Sequence, residues 1–350
     1  MVRVGLSGCG AVSQLYYGPA LRLLESEGRL TLAGLFDPDE AAVEKLKALS
    51  PEARSCASLE ALLALDLDLL IVASPPKFHA GQTIAALEAG IAVHCEKPLA
   101  ISSEDGARML AAARSADRRL SVGLMRRAFP AVRAIGGMLQ QEITGPLRSV
   151  DGFEGGRFNW PVASPRYFSR EESGGGVLRD IGPHALDLLT GWLGEPQVQA
   201  YRDDAQGGVE ANCLIELSCG GVPCRLRMSR DWARPNRYLF VGAKGWISWT
   251  PYEAERLQFG VNDGPAGTLD LRKPLPGQPH VLGGREVDFH GAFAGGLRDV
   301  VAQVRGGAAG VDRRTLALDT LELIDRCYEM RRPMEEPWLS SQADAVEWAS

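Results

Sequence analysis

The 350-residue sequence has no long hydrophobic run. Its most apolar stretch, residues 65–73, is interrupted by Asp66 and Asp68 and is far shorter than the ~20 residues a helix needs to cross a bilayer. There is no Cys-x-x-Cys pair among its seven cysteines, at positions 9, 56, 95, 213, 219, 224 and 327. The odd count and wide spacing argue against a disulfide framework and a structural zinc site, so buried free thiols in a reducing compartment are expected. No long basic run occurs, and the net charge is −6, which argues against nucleic acid as a partner and leaves a small molecule as the default. No carboxylate–histidine cluster has ligand spacing, so no metal is expected. The N-terminus runs straight into a strand-like segment, residues 2–7, without an apolar signal core, and a cytoplasmic location is expected. No internal repeat or low-complexity segment is present.

What is there has two textures. At ~100–200 residues per domain, the length implies two domains. Short runs rich in Val, Leu and Ile fall at 2–7, 30–36, 69–73, 91–95 and 120–124. Helical periodicity occupies the intervals 12–27, 38–49, 58–65, 79–89 and 102–116. Strands that are apolar on both faces and alternate with helices predict an α/β domain with a doubly wound parallel sheet, a Rossmann arrangement, over residues 1–123. After Pro130 the pattern changes. A helix at 131–141 leads into an extended stretch, a triple glycine at 174–176 precedes a helix over 181–193, and alternating strands such as 211–218 and 223–228 come next. Amphipathic helices at 289–304 and 313–330 close the pattern. This predicts an α+β second domain, residues 124–335, on a large, mostly antiparallel sheet, then a tail at 336–350. Residues 251–285 read as loop.

Gly8-Cys9-Gly10-Ala11-Val12-Ser13 follows the first strand and opens the first helix. In such a turn the first glycine allows the tight bend and the second lets the backbone approach a pyrophosphate. Ser13 stands where a third glycine is usual and keeps that position small. The helix N-terminus supplies free amides and a positive dipole end for phosphates. Asp37 ends the second strand, where a carboxylate accepts hydrogen bonds from an adenosine ribose and repels a ribose phosphate. NAD is therefore expected over NADP. The plain alternative is a glycine-rich turn with Asp37 as a helix cap.

Three more clusters come later in the chain: Ser74-Pro75-Pro76 with His79 at the next helix start, Glu96-Lys97-Pro98 at the next strand end, and the run from Gly174 through Asp180 to His184. Ligands of open α/β sheets collect at the carboxyl ends of strands, where the first two clusters fall. With the glycine turn, these clusters make the sequence resemble the glucose–fructose oxidoreductase / inositol dehydrogenase / MocA family over nearly its whole length. The resemblance implies that Gly8, Gly10, Ala11, Val12, Asp37, Ser74, Pro75, His79, Glu96, Lys97 and Arg127 bind the dinucleotide. It implies further that Asp180 and His184 are the substrate-binding and acid/base pair, that Lys97 reaches the substrate, and that Lys97–Pro98 is cis. Two departures stand out: Tyr16-Tyr17 where many relatives carry histidine, and Arg179 where an apolar residue is common.

Oxidising a secondary alcohol needs a base for the hydroxyl proton, and an imidazole of ordinary pKa near ~6.5 suits His184 to it. Asp180, four residues earlier, shares a helical face with it, and the Lys97 ammonium stabilises a developing alkoxide. Taken singly, Asp180 reads equally as a helix cap and His184 as a core histidine. Arg157, Asn159, Trp160, Arg166 and Tyr167 are candidates for the substrate side, where aromatic faces suit sugar rings and arginines suit acids. The expected activity is hydride transfer between a nicotinamide dinucleotide and a CH–OH group of a sugar, polyol, sugar acid or related cyclic alcohol, in a homodimer or homotetramer. The alternatives are an NAD-dependent hydrolase or lyase that recycles its hydride internally, and a cofactor-binding regulatory protein.

Overall fold

A computed structural model describes residues 1–161, 168–262, 264–272, 289–307, 311 and 314–334. The chain divides into two compact units, residues 1–133 with 271–321, and residues 134–270 with 322–350.

The first unit alternates β1 (Val2–Ser7), α1 (Gly18–Ser26), β2 (Leu30–Phe36), α2 (Glu40–Lys47), β3 (Arg54–Ser55), α3 (Leu59–Leu63), β4 (Leu69–Val72), α4 (His79–Glu88), β5 (Ala92–Cys95), α5 (Ser103–Ser115) and β6 (Leu120–Val122). The strands form one parallel sheet in the order β3-β2-β1-β4-β5-β6. Its order reverses between β1 and β4, the crevice where open α/β sheets take ligands. The physical cause is the double-sided apolarity of the strands, β4 and β5 being buried at every position. Local signals set the helix starts: the Asp39 carboxylate caps α2, and Ser58 and Ser102 hydroxyls cap α3 and α5. The ladder runs one residue past several strand ends, through Gly8 N to Phe36 O, Glu96 N to Val72 O and Gly123 N to Cys95 O, each at 2.8 Å. Gly8, Glu96 and Gly123 thereby sit along the carboxyl edge of the sheet.

The second unit contains most of α6 (Pro130–Gln140), then β7 (Leu147–Gly155), α7 (Arg170–Ser173), α8 (Val177–Leu193), β8 (Pro196–Asp203), β9 (Asn212–Cys219), β10 (Val222–Ser229), β11 (Arg237–Gly242), β12 (Gly245–Trp249), β13 (Arg256–Val261) and β14 (Gly267–Asp270). With β15 (Arg332–Pro333) these strands build a nine-stranded sheet, ordered β14-β13-β12-β11-β7-β10-β9-β8-β15. It is antiparallel except for the β7–β10 and β8–β15 pairs. Burial alternates along β9 as a sheet with one covered face requires, and α8 lays Val177, Leu178, Ala185, Leu186 and Leu189 into the core.

Three sequence expectations are corrected in detail. The helix expected from residue 181 begins at Val177, because the triple glycine ends at its N-cap, Gly176. The stretch read as loop contains β13 and β14; residue 263 and residues 273–285 of it, and the tail at 336–350, lie outside the described residues. Helix α9 (Phe289–Arg305), placed by the sequence reading with the second domain, belongs to the first unit. Its Phe293, Leu297, Val300 and Val301 complete the core formed by Val2, Leu21 and Leu24, so its apolar stripe is buried against α1 and β1. Helix α10 (Leu318–Glu329) comes after it in the chain. No helix among the described residues is long and apolar enough to cross a membrane.

Candidate active site

The glycine turn has the geometry that a dinucleotide needs. Gly8 adopts φ +96°, and a Cβ there would collide with the backbone of Ala73 and Ser74, so only glycine fits. Gly10 is exposed, and nothing lies within 4 Å of its Cβ position, which leaves room for a phosphate group against the backbone. Helix begins at Ala11, where the free amides of a helix N-terminus suit a phosphate, and the Ser13 hydroxyl donates to Gly8 O at 2.6 Å to close the turn. Asp37 is tied in from β2: its carboxylate accepts from Cys9 N at 2.7 Å and Asp39 N at 2.9 Å. The residues therefore fit the group, with a glycine cradle and a carboxylate beside it. The Cys9 thiol is pushed up to about 12 by burial and the Asp37 charge, so it is no nucleophile.

The neighbouring strand ends are braced. Ser7 and Ser74 hydroxyls both donate to Gln82 Oε1, at 3.0 and 2.9 Å. His79 is fully enclosed, its ring nitrogens 2.8 Å from Pro98 O and Ser74 O, so it ties together the two loops after β4 and β5. Burial lowers its pKa. Lys97–Pro98 is cis. Glu96 is buried, with one carboxylate oxygen accepting from Tyr17 Oη and the other from Lys97 N, both at 2.8 Å. Burial raises its pKa, opposed by the Lys97 charge and by these bonds.

A cavity of about 170 Å³ opens beside Tyr17 and Gly123, with Leu124, Met125 and Phe293 on its walls. Arg127 also lines it, and its guanidinium donates to the backbone carbonyls of Thr315 at 3.1 Å and Arg314 at 2.9 Å. Arg127 thus anchors the segment leading into α10, a role the sequence reading did not foresee.

In the second unit, Asp180 and His184 lie one turn apart on α8, both half-buried. Asp180 is not the helix cap. That function falls to Glu210, whose buried carboxylate accepts from Gly176 N and Leu178 N at 3.0 Å and from Tyr328 Oη at 2.8 Å. The Arg179 guanidinium pairs with Asp325 of α10 at 2.7 Å, which explains an arginine at a position where an apolar residue was anticipated. Asp180 itself is held by Arg230, 3.3 Å away, which packs over the rings of Phe158 and Phe168.

The proposed site residues thus fall into two sets. Gly8, Gly10, Ala11, Val12, Asp37, Ser74, Pro75, His79, Glu96, Lys97 and Arg127 belong to the first unit, and Arg157, Trp160, Asp180 and His184 to the second. Arg157 and Asn159 are exposed, and Trp160 is 37% exposed. Arg166 and Tyr167 lie outside the described residues. Sequence reasoning missed Arg230 and Glu210, which act from 50 and 34 positions away from the residues they bind. No local spacing rule reaches that far. Among the described residues, no group of three or more His, Cys, Asp or Glu is arranged to hold a metal ion.

Residues 2–124 match the family model described as an oxidoreductase family with NAD-binding Rossmann fold, and residues 132–248 match the GFO/IDH/MocA C-terminal domain. A putative UDP-kanosamine synthase oxidoreductase subunit from Amycolatopsis mediterranei is 33% identical over 243 residues, 62% of this chain and 61% of that protein. The chain spans 44–61% of the length of such curated relatives. Among solved structures, a 3-ketoreductase from Actinomadura kijaniata in complex with NADP and TDP-benzene aligns with a TM-score of 0.81 at 21% identity, over 95% of this chain and 98% of that one. Levoglucosan dehydrogenase in complex with NADH and levoglucosan aligns with a TM-score of 0.79 at 19% identity, over 93% and 95% of the two chains. The fold is shared with both. With both of its halves matched, the chain belongs to the GFO/IDH/MocA oxidoreductase family, whose N-terminal domain is an NAD-binding Rossmann fold.

Proposed function

We propose that the protein is an NAD(P)-dependent dehydrogenase or reductase acting on a CH–OH group of a sugar, polyol, sugar acid or related cyclic alcohol. The observation that carries this reading is the pairing of Asp180 and His184 on one face of α8, in a chain whose other unit holds an intact glycine cradle. The bound dinucleotide supplies the hydride acceptor for the alcohol, or the donor for the ketone. His184 takes the hydroxyl proton as the alcohol is oxidised and returns it in the reverse direction. The Asp180 carboxylate, fixed by Arg230, accepts a hydrogen bond from the substrate or orients the imidazole. The Lys97 ammonium donates to the reacting oxygen and stabilises alkoxide charge. Arg157 and Trp160 contribute to the substrate side. The levoglucosan bound in one structural neighbour, and the UDP-kanosamine in the name of one relative, support this substrate class.

For the cofactor, Asp37 places negative charge beside the glycine turn and disfavours a ribose phosphate, so NAD is preferred. The protein works in the cytoplasm as a homodimer or homotetramer. The test is a screen of sugars, polyols and their acids by nicotinamide absorbance with NAD and NADP in parallel. Turnover of a cyclic or sugar alcohol, faster with NAD, is the expected result. Absence of turnover by a protein that binds NADH would overturn the reading.

A further inference from the structure

The residues around Glu96 carry more than the family signature uses. The first helix has a π-helical turn, Ser13–Tyr17, in which Gly18 N donates to Ser13 O, five residues back. One extra residue in that turn rotates the helix beyond it, and such turns recur at functional sites. Here the consequence is visible in two adjacent tyrosines. Tyr16 is half-buried and stacks on Phe293, at 5.3 Å between ring centroids, beside His290. Tyr17 has no exposed surface and delivers its hydroxyl to Glu96 Oε1 at 2.8 Å. Its ring is held edge-on by Phe293 at 4.8 Å and His94 at 6.0 Å.

The third participant is Gly123, at the end of β6. A Cβ at this position would stand 2.6 Å from Glu96 Oε1 and 3.2 Å from Tyr17 Oη. Any side chain there would therefore displace the Glu96 carboxylate and crowd the phenol oxygen. The other oxygen of Glu96 accepts from Lys97 N at 2.8 Å. The carboxylate is thus pinned at both ends, by a phenol from the first helix and by the amide of Lys97, and the cavity lined by Leu124 and Met125 opens on Tyr17 and Gly123.

We infer that Tyr17, in the space that Gly123 leaves, is a positioning residue. It fixes the Glu96 carboxylate, and through it the Lys97 backbone, at the end of β5, across the β1–β4 reversal from Asp37 and so on the side left for the nicotinamide half of the dinucleotide. The inference rests on the proposed dinucleotide reading, and extends it to a residue outside the glycine, Glu-Lys-Pro and Asp/His clusters. Phenylalanine at 17 keeps the ring contacts and removes one donor. The phenol acts on the ligand only through the carboxylate, so its loss is expected to be read as a change of about fivefold in affinity, part of what a hydrogen bond to a charged group contributes.

The experiment is a fluorescence titration of the whole protein with NADH, and a competition titration with ADP-ribose, which lacks nicotinamide. Wild type, Tyr17→Phe, Glu96→Gln and the double variant are compared, with thermal unfolding as a check that each is folded. Tyr17→Phe is expected to weaken NADH about fivefold and to leave ADP-ribose unchanged. The double variant should bind NADH no more weakly than Glu96→Gln alone, because the phenol acts through the carboxylate. NADH affinity in Tyr17→Phe equal to wild type, equal loss for both ligands, or additive losses in the double variant would each overturn the inference. Failure of the wild type to bind either ligand would instead remove the dinucleotide reading, and this inference with it.

Discussion

The Arg230 guanidinium meets the Asp180 carboxylate at 3.3 Å, and the arginine side chain is only 7% exposed. An arginine so enclosed, packed on two phenylalanine rings, has few alternative positions, so the carboxylate is held in one place. Removing it takes away a charged donor to the Asp180 carboxylate and the group that holds it in place. Arg230→Ala is therefore expected to lower kcat/KM about 10- to 100-fold, with Arg230→Lys recovering part of the loss. NADH affinity should be unchanged, because Arg230 belongs to the second unit. Steady-state kinetics on the best alcohol from the screen, with an NADH titration, checks this. Equal rates in Arg230→Ala and wild type would remove the role of the pair.

The proposed proton transfer gives a second expectation. His184→Ala should lower kcat by about 10²- to 10⁴-fold, the usual worth of a positioned general base. Lys97→Ala should cost a comparable factor by leaving the alkoxide unstabilised. Both variants should still bind NADH measurably, since the glycine cradle is untouched. Turnover near wild type in both variants would mean that another group moves the proton.

Much of the architecture was legible because it rests on local rules. The first sheet follows from runs that are apolar on both faces, and Gly8 follows from the turn that only glycine can make. The same holds for the Asp180–His184 spacing, which one helical period places on a single face. The features that escaped are non-local. Helix α9 has an apolar stripe that any core could bury, and nothing in residues 289–305 says which unit supplies that core. Glu210 caps α8 from the approach to β9, and Tyr328 of α10 supports it. A carboxylate in that position reads in sequence as an ordinary surface charge. Arg179 looked like a departure from the family pattern, and its reason is Asp325, 146 positions away.

The two glycines of the fingerprint make separable predictions. Gly8 has φ +96° and the backbone of Ala73 and Ser74 occupies the place a Cβ would take, so Gly8→Ala is expected to destabilise the fold by at least about 2 kcal/mol through strain and collision. Gly10 faces open space, so Gly10→Ala should change stability by no more than about 0.5 kcal/mol. The added methyl would occupy the approach of the pyrophosphate, and NADH affinity should fall about tenfold or more. Urea unfolding and NADH titration of both variants separate the effects. A destabilised Gly10→Ala, or one that binds NADH as wild type does, would contradict the assigned cradle.

Acid stability supplies the last test. His94 is buried in β5 with Nδ1 2.9 Å from the Ser121 hydroxyl, and burial, aided by the Arg119 charge, lowers its pKa from 6.5 to about 4. Between those two values the unfolded chain binds a proton that the folded chain does not. Stability must therefore fall as the pH drops from about 6.5 toward 4, by up to about 3 kcal/mol from this residue, and the dependence flattens outside that window. Replacing His94 by Gln keeps a polar partner for Ser121 and removes the titrating group. Urea unfolding at a series of pH values should then show a shallower acid slope in the variant than in wild type. Parallel slopes would mean that the imidazole is already protonated in the folded state, or that the loss of stability in acid comes from other groups.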